Sequence, residues 1–165
     1  MTTWLDRSPE ERGLLTPSFC AILLWQAARG HSANAKIALP FELTFLVLPM
    51  VLHRETRESL PKSVKTSLAV WLNEKSLARS RIADRSRMLV PFTKEALSFG
   101  GMHGFLSLKT SVVEANFDWK NKVNACLKAS SDEVGTCAKR AEFLGKWFAK
   151  TGSAATVMAL IGVRP

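Results

Sequence analysis

Four arginines fall within nine residues: Arg79, Arg81, Arg85 and Arg87. A guanidinium is planar and permanently charged, and it can grip a phosphate or a carboxylate through two parallel hydrogen bonds. This cluster is the chain's best candidate for recognition chemistry, toward nucleic acid or an acidic partner. At about 100° per residue on a helix, Arg81 and Arg85 lie about 40° apart and Arg79 and Arg87 about 80° apart. The two pairs point to different sides, with Ala78, Ile82 and Leu89 between them. The arginines therefore flank an apolar seam and form no single stripe. A solvated or salt-bridged role stays open beside phosphate or acidic-partner contact. Arg54, Arg57, Phe143, Trp147 and Arg164 complete the candidate contact residues.

Catalytic chemistry has less to stand on. The chain contains no GxxxxGK[ST], no GxSxG and no HExxH. His31, His53 and His103 are far apart and lack neighbours at ligand spacing. His53 reads as a helix-end residue, favourable to the helix dipole when charged, and His103 as a turn residue. Glu10-Glu11 and Asp132-Glu133 stand where helix starts favour negative charge. Cys20, Cys126 and Cys137 are odd in number and loosely spaced, which argues for reduced thiols over a zinc site or disulfide framework. Cys20 reads as a core residue. Gly100-Gly101 reads as a helix stop. No residue is assigned to catalysis, to a cofactor or to a metal, and the chain is expected not to be an enzyme.

The net charge of +9 is unevenly spread. Residues 53–87 carry nine Lys/Arg against four Asp/Glu, and residues 119–165 carry eight against three. The two basic segments suit nucleic acid or an acidic protein, although plain solvated surfaces share that balance. Residues 39–52 are apolar except for Glu42 and Thr44. A membrane span needs roughly 20 apolar residues; this run is shorter and contains Pro49, so no membrane association is expected. The N-terminus has no basic n-region or apolar h-region, which makes the cytoplasm the default location.

The elements that must position these groups are mostly helices. Thr16-Pro17 signals a helix start, and Gly30 a stop after Arg29, with residues 31–36 as a loop. Pro40 starts a second helix that Pro49 kinks or breaks near residues 45–48. Pro61 starts a third, with Val64, Leu68, Trp71 and Leu72 on one face. Ser76 opens a fourth, which Pro91 interrupts and which continues to Gly100-Gly101. A small β-hairpin follows, in which residues 105–108 and 111–113 flank Lys109-Thr110. Residues 120–131 are ambiguous. Ser131 caps a long helix ended by Gly152, with Val134, Cys137, Ala138, Ala141, Leu144, Gly145 and Phe148 on one stripe. Ser153 opens an apolar final segment.

The expected fold is mainly α: one compact helical domain over residues 1–165 with a small β-hairpin. It divides into an N-terminal helix (1–37), a winged-helix-like section (38–118) and C-terminal helices (119–165). Helices at 40–52, 61–73 and 77–101 followed by a hairpin at 105–113 give the winged-helix order, with the Arg-rich helix third. Protein-interaction domains share that order, so fold alone does not choose a function.

Four stretches carry a resemblance: EERGLLTPSFCAILLWQAARG (10–30), ALPFELTFLVLPMVLHRETRESLPKSVKTSLAVWL (38–72), PFTKEALSFGGMHGFLSL (91–108) and LGKWFAKTGSAATVMALIGVRP (144–165). Together they resemble the middle component of bacterial three-component ABC-ATPase systems. The resemblance implies a small non-catalytic accessory subunit working with an SMC/Rad50-like ABC ATPase and an effector subunit, in defence against phage or foreign DNA. It transfers no catalytic residues. DNA contact, directly or through the complex, stays open, as does the alternative of a stand-alone winged-helix DNA-binding protein. Within 38–64, the charged end at 54–58 is expected to face a partner, more than the greasy middle.

Overall fold

The computed structural model describes residues 4–164. It is mainly helical with a small antiparallel sheet, as the sequence predicts. Helix α1 (Pro9–Leu14) opens with a capping box in which Ser8 and Glu11 satisfy each other's backbone N–H groups. Helix α2 (Pro17–Ala35) is the axis of the core. Cys20, Leu23, Leu24, Trp25, Ala27 and Ala28 along it are all buried.

Gly30 does not stop α2. The helix continues to Ala35 and ends at Lys36, which takes the left-handed conformation at φ 56°. Gly30 is needed for another reason. A Cβ there would collide with the backbone carbonyl of Glu142 on helix α9 (Asp132–Thr151), and one at Gly145 of α9 would collide with the carbonyl of Ala27. The two glycines let α2 and α9 cross backbone to backbone.

A two-residue strand, β1 (Leu39–Pro40), and a 3-10 turn precede helix α3 (Thr44–Val51). Pro49 lies within α3 without breaking it. The carbonyl it deprives of a partner, Phe45, sits in the first turn, and the Leu52 N–H still reaches Leu48 at 2.9 Å. Helix α4 (Arg54–Ser59) follows. The next helix, α5 (Leu68–Glu74), starts seven residues later than Pro61 suggests, because Ser67 is the residue that caps it, accepting the Val70 N–H. Residues 61–66 are tied down as a loop instead: Arg140 donates to Pro61 O at 3.0 Å and Trp147 to Thr66 O at 2.7 Å. The expected buried face of Leu68, Trp71 and Leu72 is present.

The Arg-rich helix α6 (Ser76–Met88) ends at Leu89, and α7 (Val90–Met102) begins with Pro91 in its first turn. Gly100 and Gly101 are helical and stop nothing. Added Cβ atoms there would press on Leu106 at 2.5 Å and Leu108 at 2.8 Å, so the pair is a seat for the following strand. The turn is made by Gly104, at φ 75°. Strands β2 (Leu106–Leu108) and β3 (Val112–Ala115) form the expected hairpin, with Ser107 opposite Glu114. Strand β1 adds to the far side of β3 through Leu39 opposite Val113, giving the order β1-β3-β2. The helix that immediately precedes the hairpin is α7, and the Arg-rich α6 is one element further back.

The ambiguous stretch 120–131 contains helix α8 (Lys120–Lys128). Helix α9 has its expected cap at Ser131, its stop at Gly152 and its buried stripe. Helix α10 (Ala154–Ile161) is capped by Ser153, and its Val157, Met158 and Ile161 turn into the core. Cys20 and Cys137 are buried, Cys126 is exposed, and all three are free thiols. Burial pushes the Cys20 thiol up to about 12, which makes it an inert core residue.

Candidate partner-docking site

The sequence-predicted contact residues divide into a buried set and a surface set. Arg57 is 5% exposed; its guanidinium donates to Val51 O at 2.8 Å and to Glu133 at 2.9 Å. Arg85, half-buried, donates to Pro49 O at 3.2 Å and to the Thr56 hydroxyl at 2.7 Å. The last carbonyls of α3 have no helical partner of their own, and two cations meet them at the negative end of the helix dipole. Trp147 is 1% exposed. It packs edge-on against Trp71 at 5.6 Å and spends its N–H on Thr66. These three residues serve the fold.

On the surface, Arg54 pairs with Glu58 at 2.8 Å, Arg81 with Glu55 at 3.2 Å and Arg87 with Asp84 at 2.9 Å. Arg79 leans on Gly162 and donates to Ile161 O at 3.4 Å, at the C-terminal end of α10. Each arginine of α6 thus has a carboxylate, carbonyl or hydroxyl partner, and they diverge to different sides of the helix as their spacing requires. Exposed ion pairs of this kind are weak, screened by salt, and exchange readily. Phe143 is half-buried under the Arg140 guanidinium, 5.5 Å from its ring centroid.

His53 is not the charged helix-end residue its position suggests. It caps the start of α4: the Thr56 N–H reaches its Nδ1 at 3.2 Å, and the Thr56 hydroxyl lies 2.9 Å away. Because Nδ1 accepts the Thr56 N–H it is unprotonated, so the Thr56 hydroxyl, which accepts from Arg85, is the donor toward Nδ1. Burial first, and then the Arg85 charge, hold the ring's pKa below its ordinary 6.5. His31 is also held low, by burial, although its bond to Ile37 O opposes the shift. In both cases the unfolded chain binds the proton more readily. The stabilisation is complete above pH 6.5, the ordinary value, and is lost as the pH falls through the lower folded values. Urea midpoints should therefore drop on acidification from pH 7.5 to about 5. His53→Asn, which keeps a capping oxygen, should show a smaller drop. A midpoint independent of pH in the unmodified chain would contradict this.

The structure joins two of the surface arginines at one feature. Arg87 and Arg164 stand with Glu42 on the rim of an apolar groove of about 400 Å³. Its walls are Phe41, Phe45, Leu46, Val90, Met158 and Val163, and Phe41 and Phe45 meet edge-on at 5.4 Å. Four pieces of chain build it: the start of the greasy stretch, the α6–α7 junction, α10 and the residues after it. Sequence reading identifies the greasy stretch and the apolar tail separately, and places the contact in the charged segment 54–58. It misses their meeting because nothing in the local pattern says that residue 41 and residue 163 are neighbours. Among the described residues there is no group of His, Cys, Asp and Glu able to hold a metal, and no helix long and apolar enough to cross a membrane.

Residues 4–165 match the family described as ABC-three component (ABC-3C) system Middle Component 3. No curated protein and no solved structure matches the chain.

Proposed function

We propose a function from one premise: the chain belongs to the Middle Component 3 family of ABC-three component systems. It is a non-catalytic docking subunit that bridges the ABC ATPase and the effector of its system. It works in the cytoplasm, in defence against phage or foreign DNA. The observation that carries the docking role is the groove. Six apolar side chains of a middle component line an open cavity whose rim bears Arg87 and Arg164. That is the form of a surface that takes apolar side chains from an acidic partner segment, the core burying apolar area and the rim setting orientation. The greasy start of the 38–64 stretch, more than its charged end, is the contact.

The chain should co-elute with at least one of the two other components in size-exclusion chromatography. Val163→Asp combined with Arg164→Glu puts charge into the wall and reverses the rim. It should weaken that complex by about thirtyfold or more, the effect of losing one hot spot. The variant chain alone should melt close to the unmodified one, since Arg164 is exposed and Val163 only half-buried. A complex indifferent to both changes would remove the groove from the interface.

The sheet order β1-β3-β2, with its hairpin directly after a helix, favours a second reading, a winged-helix DNA binder. That reading needs cations on the helix before the hairpin. Helix α7 carries Lys94 and Glu95 there, and Glu95 is engaged by Arg7. DNA affinity falling steeply with salt would be its signature.

A further inference from the structure

A second cleft, built from different elements, lies where α8, the 130–131 turn and α9 meet the middle of α2; its volume is about 700 Å³. It shares no residue with the apolar groove. Its inner wall includes Gln26, which is 3% exposed. The Gln26 Oε1 is buried and has no hydrogen-bond partner, and neither end of the carboxamide bonds to any described residue. The carboxamide oxygen, as it stands, is a buried acceptor left unsatisfied. More than nine in ten buried polar groups are satisfied in native proteins, and an exception calls for a missing partner. Had this position only to fill space, an apolar residue on α2 would do so without that penalty.

We infer that this cleft receives an acidic peptide segment of another component of the system, whose backbone amide pairs with the Gln26 carboxamide. A carboxamide is a peptide group in miniature: it accepts from a backbone N–H and donates to a backbone C=O. The flanks select the charge. Lys128 and Lys139 are exposed on the cleft walls, and neither is in an ion pair. The Arg29 cation and the Glu142 carboxylate in the cleft are already committed to each other, with Lys146 also on Glu142 at 2.7 Å. The one opposing carboxylate without such a partner is Asp132, at the positive end of α9. The inference rests on the docking function proposed above and gives the subunit a second surface, as a bridge between two partners requires.

The experiment measures two quantities on the same variants: the melting temperature of the free chain, and its affinity for each of the other two components. Gln26→Leu removes an unsatisfied polar group, so the free chain should melt higher. The same change should weaken one of the two complexes by about tenfold, the loss of roughly one buried hydrogen-bonded contact. Lys128→Glu with Lys139→Glu should weaken that same complex, most strongly at low salt. Unchanged affinity in Gln26→Leu overturns the inference and leaves the docking function standing. A lowered melting temperature with unchanged affinity assigns Gln26 to a buried water and overturns it too. An unmodified chain that binds neither component fails at the docking function itself, a result distinct from either.

Discussion

Gly145→Ala should destabilise the protein by about 3 kcal/mol or more, the upper range for overpacking a core. The sign is not obvious, because alanine is the better helix former by about 1 kcal/mol and Gly145 is in mid-helix. Packing decides against it. The new methyl group would overlap the Ala27 carbonyl oxygen and stand 2.8 Å from the His31 nitrogen. These are backbone atoms of a buried helix, so no rotamer change can move them away. Relief requires shifting α2 against α9, which disturbs Trp25, Leu144 and Phe148, all buried at or near that crossing. For a domain whose whole stability is about 5–15 kcal/mol, that is a large fraction. Gly135→Ala is the matched control. It lies on the same helix with nothing within 4 Å of the added Cβ, so it should gain up to about 1 kcal/mol. Urea denaturation of the three proteins tests both signs. A Gly145→Ala midpoint at or above the unmodified one would mean that the helices do not cross this closely.

The same glycines show where sequence reading works and where it stops. Caps and stripes are local: Thr16-Pro17, Ser131, Gly152 and the α9 stripe need only the residues beside them, and all are in place. The hairpin around Lys109-Thr110 is equally local. Gly30 and Gly100-Gly101 carry the local signal of a helix end, yet each is set by a distant contact. Gly30 gives way to a backbone more than a hundred positions on, and Gly100 to a leucine across a turn. Strand β1 is two residues long and exists only because β3 pairs with it. The arginines follow the same rule. Their directions around α6 are legible from helical geometry. That Arg85 and Arg57 end on the carbonyls of α3 depends on the packing of α6 and α4 against it. The groove is the extreme case, since its walls come from three stretches far apart in the chain, 41–46, 86–90 and 158–164.

Trp147→Ala should cost about 3–5 kcal/mol, the range for emptying a large aromatic site in a core. The indole does more than fill volume. Its edge meets Trp71, and its N–H holds Thr66 in the loop that leads into α5. Removing it opens a cavity between α5 and α9 and frees residues 60–67 from one of their anchors. Trp147→Phe keeps most of the volume and loses the tether, so it should cost less, by the difference between a filled site and an empty one. The comparison matters because this tryptophan has the residue type most often found at binding hot spots. A partner-contact role requires Trp147→Ala to fold as stably as the unmodified chain and to lose binding. A core role requires the melting temperature to fall first, and any loss of binding to follow the unfolded fraction. Arg57, bonded to Val51 O and Glu133, obeys the same logic: truncation takes a buried cation away from the Val51 carbonyl at the end of α3. Binding measurements on either residue are therefore informative only at temperatures where circular dichroism shows the variant folded. Val163 and Arg164, which support no other element so directly, give the cleaner test of docking.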